Sequence, residues 1–425
     1  MSITSSKIMD FSAYPEFQAR FQKQYGWMEE SFPFSLMVLE GELRNCLSGD
    51  EAISRHNISR LTKHYIPIDL LLQQVSLRRF DRPQIYIEMP GFQPVRGPLT
   101  KRLRQQGHMI FSDRKFFGVP ANRALHKMAT MGRAFPRAME LASRQSLEAL
   151  LADRQRLVRL EASLLRNHAR LLRFIEAQRI KLFVATGDSK PFSRLIAKAA
   201  KDLGRPYIVL AHGYISNPVL NTIAPIRADR LIAWTGRQRQ MLQEVLPERK
   251  DDILCHGFPE RVTLPANIAP ERRILFAWEP LERTGHEAAH QKVLSTLAAA
   301  CRQADVTPAF RPHPKERRNA DLLQRMERLG FEIDQGPLGH ALARAACVVS
   351  SNSTVLTEAA AAAVPAYQVA ELAAFRFEGA QMIPAAALDP SALISAPKRK
   401  TPLQPMNHEA LFNDINELLG DAHST

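Results

Sequence analysis

Short apolar runs alternate with amphipathic segments along much of this chain, and polar or glycine-containing turns separate them. The first run, at residues 84–92, is followed by a helical segment that Gly107 closes and by a second run at 108–113. A strand, a helix and a strand with short connections indicate the beginning of a parallel sheet. The alternation continues through further runs at 181–190, 206–215, 228–235 and 251–260. It predicts a parallel sheet with helices on both faces.

The pattern restarts after an irregular, proline-bearing stretch at 261–272, which we interpret as an interdomain linker. An apolar run at 273–280, a helix at 286–304 and the elements of 307–369 then repeat the alternation. The sequence therefore predicts an α/β protein with two Rossmann-like domains whose parallel sheets face each other across a cleft. The predicted parts are a mostly helical segment packed on the first domain (1–80), the first domain (81–260) with a long helical insertion (122–178), the second domain (273–405) and a closing helix (406–425).

The helical insertion carries a regular apolar stripe. Leucines recur every seven residues, and a second apolar line runs beside them; the two lines are Leu150, Leu157, Leu164, Leu171 and Leu151, Val158, Leu165, Leu172. Arginines lie mostly around the stripe, namely Arg154, Arg156, Arg159, Arg166, Arg170 and Arg173. Such a stripe is typical of a helix packed on its own domain, of a dimeric coiled coil or of a helix on a membrane surface. We favour packing on its own domain.

Composition narrows the class of protein. With 45% hydrophobic and 24% charged residues, the chain resembles a soluble globular protein, and no apolar run approaches the roughly 18 residues that a membrane span needs. The first residues lack a basic segment followed by an apolar one, so we predict no secretory signal. The four cysteines are widely spaced and form no CxxC pair. This usage fits a reducing cytoplasm and argues against a zinc site.

The net charge of +14 restricts the partners. It fits a solvated basic surface, an anionic substrate or contact with an anionic membrane face. Nucleic acid is less favoured, because the arginines are spread over helices and no basic strand carries interleaved aromatic residues.

A polar turn, RPHP, follows the apolar run at 307–311. It places three potential cations, Arg311, His313 and Lys315, at one predicted strand end. The prolines on both sides of His313 stiffen its backbone, because each fixes its own φ and restricts the residue before it. Such an imidazole could hydrogen-bond a phosphate oxygen and offset charge as a bond breaks. The alternative is a structural turn with a surface histidine.

A second polar turn, within SSNSTVLTEAA, follows one strand–helix unit later. It supplies four hydroxyls at the start of a predicted helix, those of Ser350, Ser351, Ser353 and Thr354. One hydroxyl is enough to cap a helix. The additional hydroxyls predict an anion site, at which the unpaired N–H groups of the first helical turn would attract a phosphate. Glu358, one turn inside the helix, could bind a ribose hydroxyl or could only support the helix start.

These two motifs resemble the paired His-Pro and Ser/Thr motifs of bacterial GT-B transferases that use CMP- or CDP-activated donors. Those families include bacterial sialyltransferases, Kdo transferases of capsule and lipopolysaccharide synthesis, and CDP-glycerol glycerophosphotransferases. The similarity extends over about residues 181–369. It implies a GT-B fold, in which a final helix often crosses back to the first domain. It also implies contacts to the donor phosphate and nucleotide from His313, Pro314, Ser353 and Thr354, and less securely from Ser350 and Ser351.

The resemblance also concerns the strand ends of the first domain, where those families place an acidic turn or a His-Gly turn facing the sugar. The matching turn here is 211–213, Ala-His-Gly. It departs from the acidic version and is closer to the CDP-glycerol version, in which the histidine is taken as a general base. His212 could thus deprotonate an acceptor hydroxyl. Asp188 and Glu88, at strand ends on the same predicted edge, are carboxylate alternatives. His212 and Asp188 rank level, with Glu88 behind them.

Together these features predict a cytoplasmic glycosyltransferase that transfers Kdo or sialic acid from a CMP-activated donor to a surface-polysaccharide or lipopolysaccharide acceptor. An anionic glycan or lipid-linked acceptor, and peripheral contact with the inner membrane, would account for the basic charge. No metal or other cofactor is expected, because His313, Lys315 and the helix start could neutralise the leaving phosphate. The alternatives are a phosphotransferase using CDP-glycerol or CDP-ribitol, a UDP-sugar epimerase of the same fold, and a non-catalytic nucleotide-sugar or glycan-binding protein.

Overall fold

A computed structural model describes residues 14–47, 84–88, 93–112, 151–187, 191–211, 227–259, 262–279, 287–314, 316–373, 376–395 and 403–421. The chain divides into two compact units. The amino-terminal unit comprises the described residues of 14–233, 239–256 and 407–421, and the carboxy-terminal unit comprises those of 234–238 and 257–406.

Strands and helices alternate through most of the described chain. The strands are β1 (Gln84–Glu88), β2 (Met109–Ser112), β3 (Ile180–Ala185), β4 (Tyr207–Leu210), β5 (Arg230–Ala233), β6 (Ile253–Cys255), β7 (Arg273–Ala277), β8 (Thr307–Arg311), β9 (Glu332–Ile333), β10 (Cys347–Ser350), β11 (Ala366–Val369) and β12 (Gln381–Ile383). The helices are α1 (Tyr14–Tyr25), α2 (Trp27–Ser31), α3 (Pro33–Leu47), α4 (Gln93–Gln105), α5 (Arg154–Ala177), α6 (Pro191–Asp202), α7 (Gly236–Val245), α8 (Glu287–Gln303), α9 (Ala320–Leu329), α10 (Leu338–Arg344), α11 (Val355–Ala361), α12 (Pro390–Ser395) and α13 (His408–Asp421).

The sheet of the amino-terminal unit has the strand order β2-β1-β3-β4-β5-β6, and every pair is parallel. All four residues of β4 are buried, as expected for a strand covered by helices on both faces. The chain adds β2 on one side of β1 and β3 on the other. The carboxyl ends of β1 and β3 therefore form the topological switch point, where ligands bind in open α/β sheets.

The two apolar lines of helix α5 differ in burial. Leu157, Leu164 and Leu171 are buried within the amino-terminal unit, where α5 packs against α3 and α6. Val158 and Leu165 belong to the other line and are 52% and 47% exposed. One line thus packs on its own unit, as we favoured for the whole stripe, and the other line faces outwards.

A carboxylate of α5 fixes its position on α3. Glu161 is buried, and its carboxylate accepts hydrogen bonds from the backbone N–H of Phe34 at 3.0 Å and of Ser35 at 2.7 Å. It also accepts the Ser35 hydroxyl at 2.7 Å. Because Phe34 and Ser35 lie in the first turn of α3, Glu161 caps that helix from a distant part of the chain.

The carboxy-terminal unit has a second six-stranded sheet in the order β12-β11-β10-β7-β8-β9, again with every pair parallel. The first strand, β7, lies in the middle, β8 and β9 lie on one side of it, and β10 to β12 lie on the other. This is the order of a Rossmann fold, with its switch point at the carboxyl ends of β7 and β10. The structure confirms the predicted α/β fold with two parallel, Rossmann-like sheets of the GT-B type.

The stretch predicted as a linker contains no helix or strand within its described residues, 262–272. It packs closely on α10, since a Cβ atom at Gly339 would approach the Thr263 carbonyl oxygen to 2.4 Å. The closing helix α13 belongs to the amino-terminal unit. There Arg102 stacks on Phe412 at 3.9 Å, and Arg230 pairs with Asp414 at 3.1 Å.

The described part of residues 1–80 consists of α1 to α3. Its aromatic residues Phe21, Tyr25 and Phe32 form a buried cluster with leucines of α3 and with Leu157. The described helices include none that is long and apolar enough to span a bilayer.

The opposite environments of two adjacent leucines on α5 lead to a stability prediction. Leu164→Ala leaves a cavity in the core and should lower the free energy of unfolding by about 2–5 kcal/mol. Leu165→Ala makes the same chemical change at an exposed position and should alter it by no more than about 0.5 kcal/mol. Urea unfolding followed by circular dichroism measures both. Equal losses would show that α5 is packed differently.

Candidate functional site

Three neighbouring strands of the carboxy-terminal sheet end at the same level. In the register of the sheet, Ala277 of β7 pairs with Arg311 of β8 on one side and with Ser350 of β10 on the other. The Trp278 N–H continues this pairing and donates to the Arg311 carbonyl at 2.9 Å. Both predicted polar turns, 311–314 and 350–354, therefore leave the same sheet edge, on the two sides of β7.

The first polar turn is built on a buried arginine. Arg311 is 8% exposed, and its Nη1 donates to Asp334 Oδ1 and to the Gly336 carbonyl, both at 3.0 Å. Burial lowers the pKa of the guanidinium, and the Asp334 and Glu358 carboxylates act in the opposite direction. The arginine stays charged at neutral pH. Arg311 is thus hydrogen-bonded within the protein itself. Glu358, in the second motif, is one of the two carboxylates that raise its pKa.

The remaining members of this turn differ in exposure. His313 is half-buried, Pro314 is exposed, and Lys315 lies outside the described residues. The His313 carbonyl accepts the Glu316 N–H at 2.8 Å, which closes a tight turn after the strand. Of the described donor contacts predicted in this motif, His313 and Pro314 reach into solvent, and His313 is the one of these two with a polar side chain.

The four hydroxyls of the second turn fall into two pairs. Ser350 is buried and donates to the Ala277 carbonyl at 2.6 Å, and the buried Ser351 hydroxyl shares a hydrogen bond with His290 Nε2 at 3.1 Å. Ser353 and Thr354 are half-buried, and Thr354 makes no side-chain capping bond. The inner pair therefore holds the turn, and the outer pair is less buried.

Helix α11 differs from expectation at its first turn. The Val355 N–H donates to Ser353 Oγ at 3.3 Å, and the N–H groups of Leu356 and Thr357 donate to the carbonyls of Ser353 and Thr354. Thr354 itself has helical φ and ψ angles of −59° and −17°, so the turn closes on its own backbone. An anion here would be held by the outer hydroxyls rather than by unpaired N–H groups.

Buried amides hold the backbone of this turn. Asn352 Nδ2 donates to the Leu372 carbonyl at 2.9 Å, and Gln368 Nε2 donates to the Ser351 carbonyl at 2.7 Å. Gln368 Oε1 in turn accepts the Phe377 N–H at 3.0 Å. Such a network fixes one conformation, because breaking any bond leaves a buried polar group without its partner.

A further chain of contacts connects the two motifs, and the sequence analysis missed it. Trp278 Nε1 donates to Glu316 Oε2 at 2.6 Å, beside the His-Pro turn. The Trp278 ring meets the His290 ring edge-to-face, with centroids 5.6 Å apart, and His290 reaches Ser351. The available signal was Trp278 itself, a large polar-tipped aromatic directly after the buried strand β7. The pairing with His290 gave no signal because 61 residues separate His290 from Ser351.

The predicted catalytic residues end or follow strands β1, β3 and β4 of the amino-terminal sheet, and β1 and β3 form its switch point. Glu88 ends β1 and pairs in register with Ala185, the end of β3. Asp188 and His212 follow the ends of β3 and β4 by three and two positions and lie outside the described residues, as does the Glu88 side chain. Their roles stay predictions.

Two further described histidines lie outside the two turns. His256 pairs with Asp414 of α13, and His340 is exposed on α10. Within the described ranges, no three His, Cys, Asp or Glu side chains are grouped as a metal site would require.

The comparisons with known proteins found structural similarity and no family for this chain. No protein-family model and no curated protein matches this chain. Similar solved structures include the UDP-GlcNAc 2-epimerase of Methanocaldococcus jannaschii in complex with UDP-GlcNAc and UDP (12% identity, TM-score 0.49, 79% of this chain and 99% of that chain covered). They also include the UDP-N-acetylglucosamine 2-epimerase of Rickettsia bellii (13%, 0.47, 80% and 96%) and CalG4, the calicheamicin glycosyltransferase (16%, 0.37, 81% and 94%).

The buried Arg311–Asp334 pair yields a test of what Arg311 does. The two side chains are 9% and 10% exposed, so Arg311→Ala leaves a nearly buried carboxylate unpaired. We expect the free energy of unfolding to fall by about 3–5 kcal/mol, and the double variant Arg311→Met/Asp334→Leu to regain most of it. Thermal and urea unfolding of the three proteins measure this. An Arg311→Ala protein as stable as the parent would instead assign the guanidinium to a ligand.

Proposed function

We propose that this chain is a glycosyltransferase that binds a nucleotide-activated sugar at the carboxyl edge of β7, β8 and β10. The observation that carries the proposal is the register of these strands, by which the His-Pro turn and the Ser/Thr turn follow β8 and β10 at one sheet edge, on the two sides of β7. The Trp278–His290 contact and the action of Glu358 on Arg311 tie the two turns together.

In this proposal the donor phosphate is held by His313, Lys315 and the outer hydroxyls of Ser353 and Thr354. His313 donates an N–H to a phosphate oxygen and offsets the charge that develops as the bond to the sugar breaks. The prolines on each side keep the imidazole in place, which reduces the reorganisation needed during transfer.

The buried members of the two motifs position the ligand-binding ones. Arg311 holds the strand end through Asp334 and Gly336, and the hydroxyls of Ser350 and Ser351 hold the second turn. Glu358 either accepts a ribose hydroxyl or balances the charge of Arg311. Pro314 contributes through its rigid ring.

The reactive group of the proposal is His212, Asp188 or Glu88. As a general base, His212 would take the proton of an acceptor hydroxyl, whose oxygen then bonds to the anomeric carbon as the nucleotide leaves. As a nucleophile, a carboxylate would first form a covalent glycosyl intermediate, which the acceptor then displaces. The two routes give opposite stereochemistry at the anomeric carbon.

The finer part of the proposal is the donor, CMP-linked Kdo or sialic acid, with a surface-polysaccharide or lipopolysaccharide acceptor. Its support is the resemblance of the two motifs to those of CMP- and CDP-dependent transferases. The turn at 211–213 favours a second candidate, transfer of a phosphoalditol from CDP-glycerol or CDP-ribitol. Free CMP with a glycosidic product indicates the first reaction, and CMP with phosphate retained on the acceptor indicates the second.

Nucleotide binding tests the proposal without knowledge of the acceptor. A ligand that binds only the folded state raises the midpoint of thermal unfolding, by the equivalent of about 2.7 kcal/mol at 100 times its Kd. We expect CMP and CDP to raise the midpoint more than UDP and GDP do. A preference for UDP would indicate a UDP-sugar enzyme, such as an epimerase. No shift with any nucleotide would contradict a donor site.

His313→Ala sharpens this test, and His340→Ala is its matched control because His340 is exposed on α10. The His313 variant should fold normally, lose the CMP-induced shift and lower turnover by about 10²–10³-fold. The control should keep both properties. CMP binding that persists in His313→Ala, without turnover in the parent protein, would indicate a non-catalytic nucleotide-sugar binder.

The reactive group can be identified by comparing Asp188→Asn with His212→Ala in a donor-consumption assay. Loss of a general base should slow transfer by about 10²–10⁴-fold, and loss of a nucleophile should in addition abolish any trapped glycosyl intermediate. Mass spectrometry of the quenched enzyme detects that intermediate. If neither variant slows transfer, Glu88→Gln is the next variant to measure.

A further inference from the structure

The outward line of α5 forms an exposed apolar strip. Val158 and Leu165 are 52% and 47% exposed, and Leu172, seven residues after Leu165, is half-buried. Ala162 and Ala169 lie between them on the same side of the helix. Large apolar side chains exposed in a row indicate a surface that binds another protein or a membrane.

A row of arginines borders this strip. Arg159, Arg166 and Arg173 follow one another at seven-residue spacing, each directly after an outward apolar residue, and all three are exposed. Arg154 adds an exposed cation at the helix start. Among the ion pairs of the described residues, none joins one of these four arginines to a carboxylate. Within the described residues the four arginines therefore outnumber the exposed carboxylates at this face, Glu30 and Glu176.

Two carboxylates near the row point elsewhere, whereas Glu30 and Glu176 are exposed at the two ends of the strip. Glu161, in the middle of the helix, is buried and bonded to the first turn of α3. Asp153 pairs with Arg156 at 2.7 Å. The hydrogen bonds of Arg159 and Arg173 go to helix carbonyls, those of Gln155 and Ala169.

An exposed tryptophan lies at the amino-terminal end of the strip. Trp27, at the start of α2, is 49% exposed. Together with Leu151 and Arg154 it lines a cavity of about 370 Å³ beside the buried Phe32 and Leu157. An indole has an apolar body and a polar N–H, and such rings concentrate at membrane–water interfaces.

We propose that this α5 face (Trp27, Val158, Leu165, Leu172 and the arginines 154, 159, 166 and 173) docks the protein onto a bilayer surface that contains anionic lipid. The apolar strip would enter the boundary between headgroups and acyl chains, and the arginines would bind lipid phosphates. Charge complementarity supports this partner, because an excess of cations in a row matches a surface of negative charge.

Other occupants match the face less well. A second copy docked through the same face would bring two arginine rows together with fewer carboxylates than arginines, whereas helix pairs are selected by matched opposite charges beside the apolar seam. A nucleic acid would satisfy the arginines and leave Val158 and Leu165 without an apolar partner. A bilayer surface with anionic lipid is the partner that would contact both the apolar strip and the arginines.

The proposal is independent of the donor site, because every residue of the α5 face belongs to the amino-terminal unit and the test contains no nucleotide. The test is co-sedimentation of the full chain with vesicles of phosphatidylcholine alone or mixed with phosphatidylglycerol. We expect binding to the mixed vesicles, weakening with salt, and little binding to phosphatidylcholine alone. Absence of binding to the mixed vesicles would overturn the proposal.

Two variants test the two halves of the face. The triple variant Arg159→Gln/Arg166→Gln/Arg173→Gln should weaken binding by about fivefold per arginine, and so on the order of a hundredfold. Leu165→Asp, at an exposed position that folding tolerates, should also weaken it severalfold because a charge enters the apolar strip. Full binding by either variant would contradict docking through this face.

A matched control removes the same charge elsewhere. Arg239, Arg318 and Arg328 are exposed residues outside α5, and their triple change to Gln should leave vesicle binding within about twofold of the parent. If the control variant lost vesicle binding to the same extent, the loss would follow from net charge alone, and docking through the α5 face would be overturned. Analytical ultracentrifugation of the parent and of Leu165→Asp completes the test, since a dimer that this substitution dissolves would assign the face to a second copy.

Discussion

Parallel strand pairing is the constraint on which the whole structure depends. A parallel strand cannot be joined to its neighbour by a tight turn, so each connection must cross the sheet, and here helices make most of the crossings. Every strand then ends at the same edge, and the segments that follow the strands collect there. In the carboxy-terminal unit this geometry brings polar turns from β8 and β10 to both sides of β7 without any long-range interaction between the turns themselves.

Polar side chains at that edge divide by burial. Arg311, Ser350, Ser351 and Gln368 are buried, and their hydrogen bonds go to backbone carbonyls, to Asp334 or to His290. His313, Ser353 and Thr354 remain half-buried. A site with this division has a rigid inner layer that is fully bonded within the protein and an outer layer that keeps bonding capacity for a ligand.

The sequence was sufficient for the parallel sheets because apolar runs and amphipathic segments alternate regularly, and the motif turns could be placed at strand ends for the same reason. Other features required the tertiary structure. Leu164 and Leu165 are neighbours on one helix, and only the position of α3 decides which of them is buried. The three-residue strand β12 is too short to show a period. The Trp278–His290–Ser351 contacts join residues from three elements, and none of them is implied by local spacing. The predicted free N–H groups of α11 were lost to the turn's own backbone, because Thr354 adopts a helical conformation.

The cap that Glu161 places on α3 has a consequence for the order in which the protein is made. Ser35 precedes Glu161 by 126 residues, so a ribosome adding about 5–20 residues per second needs on the order of 6–25 s to supply the carboxylate after the helix start has been synthesised. During that interval the N–H groups of Phe34 and Ser35 lack the carboxylate that caps them, and the leucines of α3 that cluster with Leu157 have no α5 to cover them. The amino-terminal helices thus acquire their final stability late, when the middle of the chain returns to them.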